Sequence, residues 1–391
     1  MIFRKKAISL IIIFTVALCF TPLVNHFANG NQLDSKKIEN TVGKNFQVLG
    51  KKIISPEGKE FVPIGANING WNFMGWDGED PGGAAKLVNT IANDWKFNTV
   101  RATVGLKEQK WQGKPMSEWQ WLTHRELALE SLDKIISAFT NKKIVVMLDA
   151  HDWSCRYPQG NDLSLLDDFW KTTAERYKTN PYVWFNIMNE PGYVPQPGRI
   201  SPEWVEIHQR IIRLIRDRVG AKNAIVVDGA SCGQDISSGS EIVEEKNSAI
   251  LSSGDKLKFF DGKKYENIIF SFHVYDLWAG NNQKMDRKFT DFIQRVHEKG
   301  HALLIGEVGS NGKDDINRFQ APGLVYRNAL PLKVGMLAWH FQPGDHFGLV
   351  STGKRWGSEI DSKTNPSNLT KGFGEYFWPT QVKKALSTGR E

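Results

Sequence analysis

Two short strings, Phe185-Asn186-Ile187-Met188-Asn189-Glu190-Pro191 and Leu303-Leu304-Ile305-Gly306-Glu307-Val308-Gly309, each bring an apolar, β-branched run to a glutamate. Runs of that kind predict buried parallel strands. A carboxylate at a strand tip is costly to bury without partners, so it commonly serves chemistry. Two of them on separate strands are what glycoside cleavage requires: one carboxylic acid to protonate the leaving oxygen, and one carboxylate to attack or to activate water. The competing account is a pair of satisfied structural glutamates, because structural ion pairs also perturb carboxylates. The elements that must position the two residues bear on that choice.

Apolar, strand-like runs recur at 61–68, 98–103, 143–150, 183–188, 224–228, 268–275, 302–306 and 335–339. Helical patterns separate most of them. Residues 84–95 have an apolar face, and 125–139 carry Leu127, Leu129, Leu132, Ile135 and Ile136. Ser201-Pro202-Glu203 predicts a helix start, with serine as cap and proline in the first turn; Trp204, Ile207, Ile211, Leu214 and Ile215 follow at helical spacing. A further helix is expected over 286–299. Strands alternating with helices predict an α/β fold, a (β/α)8 TIM barrel spanning one domain over 46–388. An open doubly wound sheet would call for a G-x-G-x-x-G after the first strand, which this chain lacks. Residues 46–61, with Pro56-Glu57-Gly58 at their centre, predict an N-terminal β-hairpin outside the barrel, over its N-terminal end.

Active sites of such barrels sit at the C-terminal rim. Following each run to its end gives Asn67, Arg101, His151, Asn189 with Glu190, His273 with Tyr275, Glu307 and Trp339. One polar residue at a strand end is common. A ring of hydrogen-bonding groups around two glutamates is not.

That ordered set resembles glycoside hydrolase family 5, the group of endo-β-1,4-glycanases that contains many cellulases and β-mannanases. The resemblance runs over essentially the whole barrel, and Arg101, His151, Asn189, Glu190, His273, Tyr275, Glu307 and Trp339 fill the family's places in order. It implies Glu190 as general acid/base with a raised pKa, and Glu307 as an ionised nucleophile supported by Arg101 and Tyr275. Asn189 is then expected to bond the sugar 2-OH, and His151 and His273 to position the sugar and tune the glutamates. Trp339 offers a flat face to the sugar's C–H side. Trp71, Trp76, Trp153 and Trp278 follow strands one, three and six and are expected as further stacking surfaces, whereas Trp111, Trp119 and Trp121 are as consistent with loop packing. Leu148-Asp149-Ala150-His151-Asp152 and His273-Val274-Tyr275-Asp276 look like β-mannanase strand ends, but Asn189-Glu190-Pro191 looks more like a cellulase. The resemblance therefore implies a β-1,4-linked polysaccharide or oligosaccharide as partner, cellulose and mannan both standing. It implies neither cofactor nor metal, and a monomer.

Two other readings compete. Gly229-Ala230-Ser231-Cys232-Gly233 fits the G-x-S-x-G elbow of serine esterases and follows a strand, but Gln234 to Ser240 is turn-like where the elbow needs a helix. A barrel that binds polysaccharide without cleaving it would be expected to lack one glutamate, and both are present.

Hydrophobic residues at 40% and charged residues at 24% suit a globular chain with a sizeable core. Arg4, Lys5 and Lys6 precede a continuous apolar stretch, 8–20, and no acid occurs before Asp34, which is the arrangement of an export signal. Residues 1–28 are assigned to a signal peptide or an N-terminal membrane anchor, and 29–45 to a polar linker. The processing site near Phe27-Ala28 is weak, and the run extended to Val24 nears the ~18 residues of a spanning helix, so both fates stand. Either way the barrel is expected outside the cytoplasm, secreted or tethered. Without the three basic residues the charge of +7 falls to about +4, and no basic run is interleaved with aromatics, which excludes a nucleic-acid binder. Beyond the signal only Cys155 and Cys232 remain; a disulfide and two free thiols are both open. The nine histidines show no metal-ligand spacing.

Overall fold

Eight parallel strands close into a barrel in chain order: β1 (Ile64–Ile68), β2 (Thr99–Val104), β3 (Val145–Ala150), β4 (Val183–Asn186), β5 (Ile225–Asp228), β6 (Ile268–Val274), β7 (Ala302–Val308) and β8 (Gly335–Ala338), with β8 pairing back onto β1. Each corresponds to one of the apolar runs. The computed structural model describes residues 45–68, 88–107, 110–111, 114–115, 121–193, 200–237, 241–280, 282–309, 320–341 and 347–349. The readings made on 1–44, on Trp71, Trp76 and Trp119, and on the end of the chain from 350 lie outside these residues, as does the side chain of Trp111.

Because successive side chains on a strand point to opposite faces, the barrel has two apolar shells. Val146, Leu148, Phe185, Val227 and Phe270 pack with the helices, joining Leu132, Ile136, Phe169, Ile211 and Phe292 in one cluster. Met147, Trp184, Val226, Ile269, Leu304 and Leu337 form a second, internal cluster that also takes in Phe46 and Ile53. Two residues further along the same faces, the side chains become polar: Asp149 after Met147, Asn186 after Trp184, Asp228 after Val226, and Ser271 then His273 after Ile269. The lower half of the barrel is core, and the upper half is a buried polar chamber.

Strand β7 departs from simple alternation. Phe272 pairs with Ile305, but the next pair is His273 with Glu307, so the register slips by one at Gly306. A bulge of this kind re-aims the side chain that follows it. Glu307 thereby lies opposite His273, in the chamber. Gly306 has no room for a side chain, since a Cβ there would meet Ser271 Oγ at 2.4 Å and His273 Nε2 at 3.0 Å. We expect Gly306→Ala to cost about 1–3 kcal/mol of stability by overpacking. Urea unfolding should show a lower midpoint with an unchanged m-value; an unchanged midpoint would mean that the bulge tolerates a methyl group.

The hairpin lies where expected and turns at Pro56-Glu57-Gly58, with Ile54 bridging Glu60 across that turn, and a further antiparallel pair precedes it. Gln47–Leu49 pairs with Lys52–Ile54 across Gly50, which takes a φ of 59° that glycine accepts without a Cβ penalty. Pro56-Glu57-Gly58 belongs to a second turn, closed by the Ser55–Lys59 and Gly58–Ser55 backbone hydrogen bonds. Phe46 plugs the strand-start end of the barrel, edge-on to Phe61, Tyr182 and Trp184 at 5.0–5.4 Å.

Outside the barrel run α1 (Arg125–Thr140), α2 (Asn161–Tyr177), α3 (Pro202–Arg213), α4 (Gln283–Glu298) and α5 (Gln320–Asn328). On α1, Leu127 points outward and is exposed, while Ala128, Leu129, Leu132, Ile135 and Ile136 form the buried face. Ser201 occupies the cap position of α3, but its hydroxyl donates to the Glu203 carboxylate instead of accepting a backbone N–H. Helix α4 starts three residues before expectation because Asn282 Oδ1 accepts from Met285 N–H at 2.9 Å and caps it. Among the described residues, no helix is long and apolar enough to cross a membrane.

Candidate active site

The chamber is organised around Arg101, whose guanidinium is fully buried. Its Nη1 donates to Glu307 Oε1 at 2.6 Å and to Asn67 Oδ1 at 3.0 Å, Nε to Asn186 Oδ1 at 2.7 Å, and Nη2 to Asn189 Oδ1 at 2.8 Å. Nη2 also faces Asp149 Oδ1 at 3.0 Å and Asp228 Oδ2 at 3.4 Å. Burial alone would disfavour the charge, but the surrounding carboxylates overcompensate and hold the guanidinium protonated. Asn67 in turn donates to the Gly306 and Ala338 carbonyls, pinning the bulge to β1 and β8.

Glu307 is engaged at both oxygens: Oε1 by Arg101, and Oε2 by the Tyr275 hydroxyl at 2.7 Å. Burial and then the Glu307 charge push the Tyr275 phenol well above its ordinary pKa, so it stays a donor. Glu190 is different. Its side chain retains 19% exposure, its Oε1 receives His273 Nδ1 at 2.9 Å, and its pKa is raised, chiefly by burial and further by the Glu307 charge. One oxygen from each glutamate and a nitrogen of His273 all lie within 4.8 Å of one another.

His273 bridges the two carboxylates from below. Its Nε2 faces Asp228 Oδ2 at 3.3 Å, and its Nδ1 is 3.6 Å from Glu307 Oε2. Burial opposes a charged ring, but Glu307, Asp228 and the hydrogen bonds to Asp228 and Glu190 outweigh it and push His273 up to about 10. The two glutamates and His273 are the one His/Cys/Asp/Glu group among the described residues close enough to share a cation. Each of the three already has a partner within the protein: His273 Nδ1 on Glu190 Oε1, and Arg101 and Tyr275 on the two oxygens of Glu307. At the rim, His151 Nδ1 donates to Asp149 Oδ2 at 2.6 Å, and its ring stacks on Trp339 at 5.1 Å and 7°.

The structure thus gathers Asn67, Arg101, His151, Asn189, Glu190, His273, Tyr275, Glu307 and Trp339 in one chamber and its rim. His273 is wholly buried and faces the two glutamates. Asn189 donates to Ser154 Oγ at 2.7 Å while accepting from Arg101. Two expected stacking surfaces are corrected. Trp278 is fully buried among Phe272, Phe289 and Phe292, with its N–H on the Gln234 carbonyl. Trp153 is 3% exposed and bonds Asp162, so neither ring presents a face. Trp121 is likewise buried, donating to Asp168. Ser231 has the positive φ of an elbow nucleophile, 59°, but is fully buried, and the chain turns back through a Gly229–Gly233 bridge instead of entering a helix. The esterase alternative is therefore set aside. Cys155 and Cys232 form a disulfide, with Cα atoms 4.3 Å apart.

Asp149, Asn186 and Asp228 were not singled out from the sequence. Strand alternation would have found them, because each lies two residues beyond an inward apolar side chain. Asp228 is fully buried: it also receives Asn186 Nδ2 at 3.0 Å and the Glu190 N–H at 3.3 Å, and its pKa is held well below the usual carboxylate range, its burial being outweighed by His273 and Arg101. We expect Asp228→Asn to move the His273 titration, followed by ¹⁵N imidazole shifts, clearly below pH 10. In the wild type, His273 contributes stability that is full below its unfolded pKa of about 6.5 and is lost as pH rises toward 10. The variant should lose part of that stability at neutral pH. An unmoved His273 titration would show that Asp228 does not set its charge.

A family model described as "Cellulase (glycosyl hydrolase family 5)" matches residues 54–344. Endoglucanase Z of Dickeya dadantii (strain 3937) is 25% identical over 281 residues, which cover 71% of this chain and 55% of that protein. The chain thus spans about half the length of this curated relative. Among solved structures, the catalytic domain of Thermobifida fusca endoglucanase Cel5A is 17% identical with a TM-score of 0.62, covering 90% of this chain and 99% of that one. The β-mannanase from Streptomyces thermolilacinus, crystallised with mannohexaose, is 18% identical with a TM-score of 0.59, covering 85% and 92%. At these identities the structural likeness shows the barrel fold alone.

Proposed function

The chain belongs to glycosyl hydrolase family 5, and on that premise we propose a retaining, endo-acting β-1,4-glycan hydrolase that uses Glu307 as nucleophile and Glu190 as acid/base. The observation that carries this reading is the asymmetry of the two glutamates. Glu307 is locked between a permanent cation and a phenol, whereas Glu190, within 4.8 Å, is pushed toward its protonated form.

In the first step Glu307 attacks the anomeric carbon, and Glu190 delivers its proton to the departing glycosidic oxygen. His273 occupies Oε1 of Glu190, which leaves Oε2 to carry that proton. Ester formation then removes the Glu307 charge. Since that charge helps to raise the Glu190 pKa, its loss makes Glu190 a carboxylate suited to take a proton from water in the second step. His273, still protonated, stabilises that carboxylate. His151 and Trp339 line the approach as sugar-binding groups, Asn189 is assigned to the sugar 2-OH, and Asn67, Arg101 and Tyr275 hold the nucleophile. The partner is a β-1,4-linked glucan or mannan; the two differ at the 2-OH. The catalytic domain is 46–388, and the basic and apolar start of the chain, through Phe20, directs export with the barrel outside the cytoplasm.

The close approach of the glutamate oxygens favours the ~5–5.5 Å carboxyl spacing of retaining enzymes over the ~6.5–9.5 Å that admits water in inverting ones. The first-formed sugar seen by proton NMR should therefore be the β-anomer, on whichever of carboxymethylcellulose, glucomannan, galactomannan, xylan or lichenan releases reducing ends. An α-anomer formed first would overturn the double displacement; no reducing ends from any of them would overturn the hydrolase.

A further inference from the structure

We infer that the Cys155–Cys232 disulfide is a positioning clamp for Glu190, acting through the backbone and resting on the acid/base reading of that residue. Glu190 has a φ of 46°, in the left-handed region that non-glycine residues seldom occupy unless the surroundings hold them there. The holding groups are the two cysteines. Cys155 N–H donates to the Glu190 carbonyl at 2.8 Å, and Cys232 N–H donates to the Gly192 carbonyl at 3.0 Å. One cysteine follows β3 and the other follows β5, so the covalent bond ties together the amides that grip the Glu190–Gly192 segment from its two sides.

The same loops close around the side chain. A Cβ on Gly233, next to Cys232, would fall 3.0 Å from Glu190 Cγ and 2.9 Å from the His273 ring, and the Gly233 carbonyl accepts from His273 N–H at 2.8 Å. On the other flank Gly192 lies against Tyr157, where a Cβ would meet the phenol oxygen at 2.4 Å, and its N–H donates to the Arg156 carbonyl. Cys155, Cys232 and their neighbours therefore set both the backbone twist at Glu190 and the wall behind its carboxyl. The two cysteines reach Glu190 and Gly192 through their backbone N–H groups, which makes the pair positioning residues.

The test is the Cys155→Ala/Cys232→Ala double variant, assayed as kcat/KM on the β-1,4-glycan the wild type cleaves and on the matching 2,4-dinitrophenyl glycoside. A misplaced acid should cost about tenfold or more on the glycan. It should cost less than about threefold on the aryl glycoside, whose leaving group needs little protonation. The alkaline limb of the glycan profile should also move to lower pH, because a loosened Glu190 is less buried and its raised pKa relaxes downward. A merely structural disulfide would lower the melting temperature without the substrate split. Equal losses on both substrates, or an unmoved alkaline limb, overturn the inference. Should circular dichroism show the variant unfolded, folded wild type reduced with a phosphine must show the same split, and its absence there is equally fatal. Without glycan cleavage by the wild type in the same assay, the hydrolase reading falls first and this inference falls with it.

Discussion

Glu307→Ala is expected to lower kcat/KM about 10⁴-fold or more on polysaccharide and aryl glycoside alike, because no leaving group, however good, replaces the missing nucleophile. Geometry strengthens the expectation. Both oxygens of Glu307 are held, by Arg101 Nη1 at 2.6 Å and the Tyr275 hydroxyl at 2.7 Å, and no other carboxylate of the chamber has that pair of donors. Asp149 and Asp228 lie deeper, fully buried, and are occupied with Arg101 and with His151 or His273. The buried Arg101 keeps two carboxylate partners in the variant, so the fold should survive the loss of the third. Added azide should not restore a product of retained configuration. The isosteric Glu307→Gln variant should be as inactive while melting closer to wild type, since its amide oxygen can still accept from Arg101 and its amide N–H can donate to the Tyr275 oxygen. Aryl-glycoside activity within tenfold of wild type in either variant would remove Glu307 from the mechanism.

Glu190→Ala is expected to behave differently, and the contrast is the informative part. Loss of a general acid costs about 10²–10⁴-fold where the leaving group is a sugar hydroxyl. The first step with a dinitrophenyl leaving group should fall less than about tenfold, because that step hardly needs a proton. The pH profile supplies a second reading. Glu190 must be protonated to act, and its pKa is raised by burial and by Glu307, so wild-type kcat/KM on the glycan falls as pH rises through that raised value. In Glu190→Ala the alkaline limb should disappear. His273 does not replace it there, being fully buried beneath the site and facing Asp228. Near wild-type cleavage of a polysaccharide by this variant would make the acid/base assignment wrong.

The polarity and periodicity of the chain carried the architecture and the positions of the chemistry. A parallel strand buried on both faces is largely apolar, so eight apolar runs alternating with helical patterns predict a parallel α/β sheet, and the missing glycine-rich turn favoured its closure into a barrel. The residue at which each run turns polar lies at the rim, which is how Arg101, His151, Glu190, His273 and Glu307 were found. The same local signal misplaced what depends on distant neighbours. Trp153 and Trp278 look like rim aromatics by sequence position, yet the loops after β3 and β6 fold their rings inward, where Asp162, and Phe272 with Phe289, complete their packing. Pro56-Glu57-Gly58 is a strong local turn and closes the pairing of Ile54 with Glu60, but the turn at Gly50, which brings Phe46 into the internal cluster beside Ile53, carried no such local signal.

Only the tertiary structure shows the surroundings that set the two glutamates apart. Nothing in the string around Gly306 tells that β7 slips its register there, and without that slip Glu307 would face the helices and not the chamber. The roles diverge for the same reason. Arg101 and Tyr275 come from β2 and from just after β6 to hold one carboxylate; Asp228, from β5, charges the histidine beneath the other. The two cysteines, far apart in sequence, meet beside Glu190 only because β3 and β5 flank β4. Side-chain period and polarity are properties of a few consecutive residues and survive in the sequence. Register, closure and the partner of a buried charge are properties of residues brought together across the barrel, and only folding sets them.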